Sequence, residues 1–227
     1  MFSHIPVIKR AALITCCLAF VPGTACACDG PQEVRVATPS SIRSFIDDRK
    51  MDVLTFTGFS GARYENPGAM IAHASQLLDG RAPEKTLVNI GATAEGIGAV
   101  YEIAKQKGFT TMGIVSTLAR DEHVALSQCV DYVFFVEDET WGGRIEGTGH
   151  LSPTSTAMVE SGTSFVAIGG GDVTRDEMLA ARQAGKPVIF IAADMNHQIA
   201  REKARKKGRP APVDFKGAAH RALAEVP

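Results

Sequence analysis

Three times in this chain a short apolar run ends on a small-residue turn, and a helical pattern follows. Val53-Leu54-Thr55-Phe56-Thr57 enters Gly58-Phe59-Ser60-Gly61. Thr86-Leu87-Val88-Asn89-Ile90 enters Gly91-Ala92-Thr93-Ala94-Glu95-Gly96-Ile97-Gly98. Phe165-Val166-Ala167-Ile168 enters Gly169-Gly170-Gly171-Asp172-Val173-Thr174. Continuous apolar runs that alternate with helical stretches are the mark of parallel strands covered by helices on both faces. The fold expected is α/β, a three-layer α/β/α sandwich with a mainly parallel sheet of about six strands. Residues 112–116, 130–136 and 187–192 supply the remaining strands. Ligands in such sheets bind beyond the carboxyl ends of the strands. Each small-residue turn follows a strand, so the turns gather on one edge.

The third turn has a physical use. Glycines let backbone approach a ligand closely, and a helix N-terminus offers unpaired N–H groups and partial positive charge. That geometry suits a phosphate or a sugar carboxylate. A plainer reading stands beside it: Thr174 caps a helix beginning at Arg175, and Glu177, three residues on, completes a capping box.

Residues 1–27 read as a secretory signal peptide. Lys9 and Arg10 precede the apolar run Ala11 to Val21, Pro22 and Gly23 break it, and Ala25-Cys26-Ala27 is a cleavage signature. Lipidation at a cysteine of this region ranks second to simple export, periplasmic or secreted. The remainder, about 200 residues, is enough for one domain with a full core. Residues 28–50 are expected as an N-terminal extension, 51–197 as the domain and 198–227 as a basic C-terminal tail. Loss of Lys9 and Arg10 takes the formal charge from −1 to −3, a balance that implies no nucleic-acid partner. Cys28 and Cys129 are the cysteines left after cleavage, and an oxidising compartment permits their pairing. No spacing of His, Cys or carboxylates suggests a metal, and no cofactor is expected. The tail carries Arg201, Lys203, Arg205, Lys206, Lys207 and Arg209. Such a run is ordinarily a solvated helix face, and peripheral attraction to an anionic membrane is the alternative.

Gly91 to Gly98, with Tyr101 and Lys105 beyond it, imitates the fingerprint of short-chain dehydrogenases. The spacing defeats that reading. Four residues separate Gly91 from Gly96 where the fingerprint has three, and Tyr101 and Lys105 fall in the helix leaving the turn.

Taken together, the turns resemble the LOG ("Lonely guy") nucleotide phosphoribohydrolases, which join the DNA-processing DprA proteins in a Rossmann-like superfamily called SLOG. The resemblance covers most of residues 52–195. Gly58-Phe59-Ser60-Gly61 is similar to the family's G-S-x-x-G turn, and Leu87 to Thr93 to its L-V-Y-G-G-G segment. Gly170, Gly171, Thr174 and Glu177 match P-G-G-x-G-T-x-x-E, with Gly169 where the family has Pro and Val173 where it has Gly. Lys186-Pro187-Val188 resembles the K-P-V entry to the last strand.

The resemblance implies a Rossmann-like domain whose motif binds the phosphoribosyl part of a nucleotide. It implies Glu177 as the catalytic carboxylate for N-glycosidic cleavage, where it would stabilise oxocarbenium character. The family pairs that glutamate with an arginine in an Arg-Lys pair on the preceding helix. Here that register holds Thr154 and Ser155, and no arginine lies between Arg144 and Arg175. Hydrolysis and a non-enzymatic sensing or scaffold role therefore both stay open. The expected ligand-binding residues are Gly58, Ser60, Gly61, Gly91, Thr93, Gly96, Gly170, Gly171 and Thr174. The expected partner is a nucleotide or phosphoribosyl-type small molecule, and a homodimer stays open. Trp141, alone of its kind, sits in a glycine-rich loop from Thr140 to Pro153 and reads equally as a core plug or as a lid over a base. Arg144 and His150 of that loop are expected at the surface.

Overall fold

In the computed structural model, which describes residues 28–224, the apolar runs lie side by side and point one way. The strands are β1 (Glu33–Val36), β2 (Asp52–Gly58), β3 (Thr86–Ile90), β4 (Thr110–Ser116), β5 (Tyr132–Val136), β6 (Ser164–Ile168) and β7 (Val188–Ile191). All neighbours pair in parallel, in the order β1-β5-β4-β3-β2-β6-β7. From β2 the chain steps outward to β5, then returns to lay β6 on the free side of β2. The direction of winding reverses there, which makes the β2–β6 boundary the switch point where such sheets hold ligands.

The helices are α1 (Pro39–Arg49), α2 (Pro67–Asp79), α3 (Val100–Gln106), α4 (Leu118–Asp121), α5 (Pro153–Ser161), α6 (Asp172–Gln183), α7 (His197–Lys206) and α8 (Gly217–Leu223). Thr38, Asn66, Ser152 and Asn196 cap α1, α2, α5 and α7 with side-chain oxygens. Successive strand residues point to opposite faces. Leu54, Phe56, Val88 and Ile90 thus meet Met70, Ala74, Leu78 and Tyr101 of α2 and α3 on one side. Val53, Leu87, Met112 and Phe134 meet Ile42, Phe45, Ala157 and Met158 of α1 and α5 on the other. There α6 and α8 also cover Phe165 and Ala167. Each buried valine, leucine, isoleucine, methionine or phenylalanine among them contributes about 1.5–3 kcal/mol.

The sheet has one strand more than expected. β1 lies in the stretch read as an extension, where Glu33-Val34-Arg35-Val36 alternates charged and apolar residues as an edge strand does. It lacks the continuous apolar run of an inner one. Residues 122–128 form neither helix nor strand. α4 ends at Asp121, His123 adopts φ 53°, and the chain then crosses to the second turn, where Ser127 N–H donates to Ala92 O. The signal-peptide reading of residues 1–27 lies outside the described residues. Tyr101 and Lys105 are structural. The tyrosine hydroxyl lies 2.9 Å from Ile90 O and 2.8 Å from Met112 O, and the ammonium lies 2.6 Å from the buried Asp131.

Cys28 and Cys129 form a disulfide that closes a sequence separation of 101 residues. It ties the residues before β1 to those before β5, the strand that β1 pairs with. Cross-linking a long loop removes conformational freedom from the unfolded chain. Reduction, or a Cys129→Ser change, is expected to lower stability by about 2–4 kcal/mol. Urea unfolding of the mature protein with and without dithiothreitol measures this, and coincident curves would refute it.

Candidate functional site

The first two turns are joined by their backbones. Ile97 N–H donates to Phe59 O at 2.8 Å, and Ser60 Oγ lies 2.9 Å from Thr93 Oγ1. Gly96 makes the join possible: its φ is +60°, and a Cβ there would come within 2.0 Å of Phe59 O. The first turn is joined to β6 by Tyr64. Its hydroxyl donates to Ile168 O at 2.7 Å and accepts from Phe59 N–H at 3.1 Å. A side chain on Gly58 would displace that hydroxyl, which lies 2.1 Å from where the Cβ would be.

These joins enclose a cavity of about 730 Å³ across the carboxyl ends of β2, β3, β4 and β6. Gly58, Ser60, Gly61, Gly91, Thr93, Gly171, Thr174 and Glu177 line it. Gly96 and Gly170 do not. They hold its walls, since Gly170 has φ +127° and a Cβ there would sit 2.5 Å from Thr174. Gly171 is the opposite case, for a Cβ there meets nothing within 4 Å. Ile114, Val115, Val124 and Leu126 make one wall apolar, and Trp141 stands at the mouth, 49% exposed. The tryptophan is therefore no core plug. Arg144 and His150 are exposed as expected.

The capping-box reading of Thr174 and Glu177 fails. α6 starts at Asp172 with Gly171 as its cap, and no side chain caps it. Thr174 instead turns inward, its hydroxyl 3.0 Å from Thr57 Oγ1, and is buried. Glu177 lies on the same inward face, 3% exposed. Ser155 Oγ donates to its Oε1 at 2.7 Å, and Thr57 Oγ1 lies 3.5 Å from its Oε2. Burial pushes this carboxyl up to about 7. The hydroxyls of Ser155 and Thr57 pull the other way, and the charge of Asp176 adds to the rise.

Among the described residues, no guanidinium pairs with it. Arg175 pairs with Asp172 at 2.7 Å and Asp176 at 2.9 Å. Arg144 donates its backbone N–H to Asp176 at 2.9 Å, and its guanidinium lies 4.0 Å from that carboxylate. Both arginines are spent on Asp176 outside the cavity. Among the described residues, Lys203 of α7 is the one lysine or arginine that lines it. Asp138 orders the loop after β5. Burial pushes its carboxyl up, but hydrogen bonds from the Thr154 backbone and from Thr140 outweigh this, so it stays below the usual range. Its Oδ1 accepts from Thr140 N–H at 2.8 Å and its Oδ2 from Thr154 N–H at 2.9 Å, which fixes both Trp141 and the start of α5.

Thr57, Ser155 and Lys203 were not singled out as site residues in the sequence. The register of Thr154-Ser155 against the family's Arg-Lys pair was a signal for Ser155. Nothing in the sequence marks Lys203 among its basic neighbours.

No protein-family model matches the chain, and no curated protein matches it. Solved structures do. The molybdenum cofactor carrier protein of Chlamydomonas reinhardtii is 20% identical over 62% of this chain and 76% of its own, with a TM-score of 0.45. The molybdenum cofactor binding protein of Rippkaea orientalis is 18% identical over 70% and 85%, with a TM-score of 0.45. DprA of Streptococcus pneumoniae is 14% identical over 80% and 64%, with a TM-score of 0.44. The likeness concerns the path of the chain, and no ligand or activity is carried across.

The carboxyl of Glu177 gives a pH signature. Its folded value, about 7, lies above the 4.5 of the free side chain, so the folded state binds the extra proton between those values. Stability attributable to this group is full below pH 4.5 and falls as pH rises through about 7. The loss is on the order of 3 kcal/mol. A Glu177→Gln protein is expected to lack this decline and to be the more stable of the two at pH 8. Denaturant unfolding from pH 4 to 9 tests it, and parallel profiles for the two proteins would refute it.

Proposed function

We propose that the protein binds a nucleotide or nucleotide-derived small molecule in the cavity at the β2–β6 switch point, and that it binds without hydrolysing. The observation that carries the reading is the enclosure of one cavity by all three glycine turns, with Gly171 open toward it. Its volume, about 730 Å³, lies within the range that small-molecule sites occupy. The apolar wall with Trp141 suits a planar base, and the hydroxyls of Ser60, Thr93 and Thr174 suit sugar and phosphate oxygens.

The commitment of Arg144 and Arg175 to Asp176 favours binding over catalysis. A phosphoribohydrolase of the resembled kind uses an arginine with its glutamate, and Glu177 has only hydroxyl neighbours. One observation favours a second reading, hydrolysis. A carboxyl held near 7 at a cavity wall is poised for proton transfer.

We also infer that the protein works outside a reducing cytoplasm. The signal-peptide pattern and the Cys28–Cys129 disulfide support this.

Calorimetric titration of the mature protein with AMP, ADP-ribose, NAD and the molybdenum cofactor tests the binding. At least one is expected to bind. Gly171→Leu, which adds bulk where the backbone has negative φ and free space, is expected to fold and to weaken that ligand about tenfold or more. Silence from all four probes, or an unaffected Gly171→Leu protein, would defeat the proposal. Release of free base from AMP, abolished by Glu177→Gln, would replace it with the second reading.

A further inference from the structure

The cavity receives its cation from a segment that the glycine turns say nothing about. Lys203 lies on α7, in what the sequence presents as a basic tail. Its ammonium donates to Gly61 O at 2.9 Å, at the rim of the first turn. An ammonium has three donors, so two remain for a ligand. The other charges at this turn are matched to each other, Arg63 with Glu95 at 2.5 Å. No carboxylate lies within ion-pair distance of Lys203 among the described residues.

The opposite end of the cavity is unlike this one. Glu177, Ser155, Thr57 and Thr174 meet there, all buried. Thr154 adds a hydroxyl that is buried, lines the cavity and has no hydrogen-bond partner among the described residues. A buried hydroxyl without a partner costs free energy unless something supplies one. This end offers hydroxyls and a carboxyl and no cation. The start of α6 adds a further carboxylate, Asp172, which offsets the helix's own positive end. A phosphate placed there would face like charge, whereas a sugar diol or a base amide would find partners.

One segment of chain connects the two ends. Thr57 touches Glu177, and Gly61 touches Lys203. Four residues of backbone span at most about 14 Å, the scale of a single nucleotide laid along the turn.

We propose that Lys203 is the anion-binding residue of the cavity. A nucleoside monophosphate sets its phosphate against Lys203 and the Ser60-Gly61 turn at the rim. Its uncharged hydroxyls or amides sit against Thr154, Thr174 and Glu177 at the deep end. This assignment rests on the nucleotide reading above and adds the direction in which the ligand lies. It also gives α7 a role beyond a solvated basic face.

The test compares AMP with adenosine on four full-length mature proteins: wild type, Lys203→Ala, Lys203→Arg and Lys207→Ala. Lys207 closes the same helix and is exposed, but does not line the cavity. By calorimetry, Lys203→Ala is expected to weaken AMP about tenfold and to leave adenosine within about twofold. Lys203→Arg is expected to recover most of the loss, and Lys207→Ala to bind both as wild type does. The salt dependence of AMP binding is expected to flatten in Lys203→Ala. Equal weakening of AMP and adenosine would overturn the proposal, since Lys203 would then only brace the turn through Gly61 O. An unchanged affinity for AMP, or wild type binding adenosine as tightly as AMP, would overturn it too and spare the nucleotide reading. Wild type that binds neither compound would overturn the assignment, and it would bring down the nucleotide reading as well only where ADP-ribose, NAD and the molybdenum cofactor are silent too.

Discussion

The Tyr64 hydroxyl is the constraint on which the site depends. It bonds at once to the first residue beyond β2 and to the last residue of β6, the two strands between which the sheet reverses its winding. Burial pushes its ionisation far above the ordinary range, so it stays a neutral donor at any physiological pH. The bond needs Gly58, because any side chain there would occupy the hydroxyl's place. With the β2 turn fixed to β6, the Phe59 carbonyl is set for Ile97 N–H, and the β3 turn follows. One buried oxygen thereby sets the mouth of the cavity, and a glycine that resembles a ligand-binding residue is in part a packing requirement.

The charges around the cavity form a second, connected arrangement. Asp176 is buried and takes both Arg175 and the Arg144 backbone, so its charge is compensated on the side away from the cavity. Glu177, its neighbour in sequence, faces the other way and meets hydroxyls. A carboxylate without a cation in a low-dielectric wall tends to keep its proton. Thr154 and Ser155 bring hydroxyls and no cation to this wall, in keeping with a Glu177 carboxyl pushed up to about 7. A carboxyl held up to about 7 is largely neutral at moderately low pH, and the wall then costs less to bury.

The inner strands were legible because each is a continuous apolar run closed by glycine, and burial on both faces leaves that trace. β1 was not, since an edge strand with charged residues at alternate positions resembles an extended tail. The convergence of the turns was legible from the rule that ligands gather at the carboxyl ends of parallel strands. Which glycines line the cavity was not. Gly96 and Gly171 look alike in sequence, and they differ in φ and in what a Cβ would strike. Thr174 was misread because Thr-x-x-Glu satisfies the capping pattern, yet the helix begins three residues before Arg175, at Asp172, and turns both side chains inward. Local spacing cannot tell a cap from a buried hydroxyl when the strand beside it supplies a better partner, here Thr57.

The C-terminal region shows how composition can conceal a structural part. Its charge makes residues 198–227 look detached, yet both helices in it touch the walls of the cavity. α7 brings Lys203 to Gly61. α8 begins at Gly217, whose φ is +78° and whose Cβ, if it had one, would lie 2.4 Å from Gly170 O. The Ala219 N–H donates to that same carbonyl at 3.2 Å. Gly170 is the residue before the cap of α6, so α8 helps fix the peptide from which α6 starts, and with it the placement of Thr174 and Glu177. Packing of this kind carries no charge signature and no motif. It requires two glycines, far apart in sequence, to pass each other where side chains would not fit.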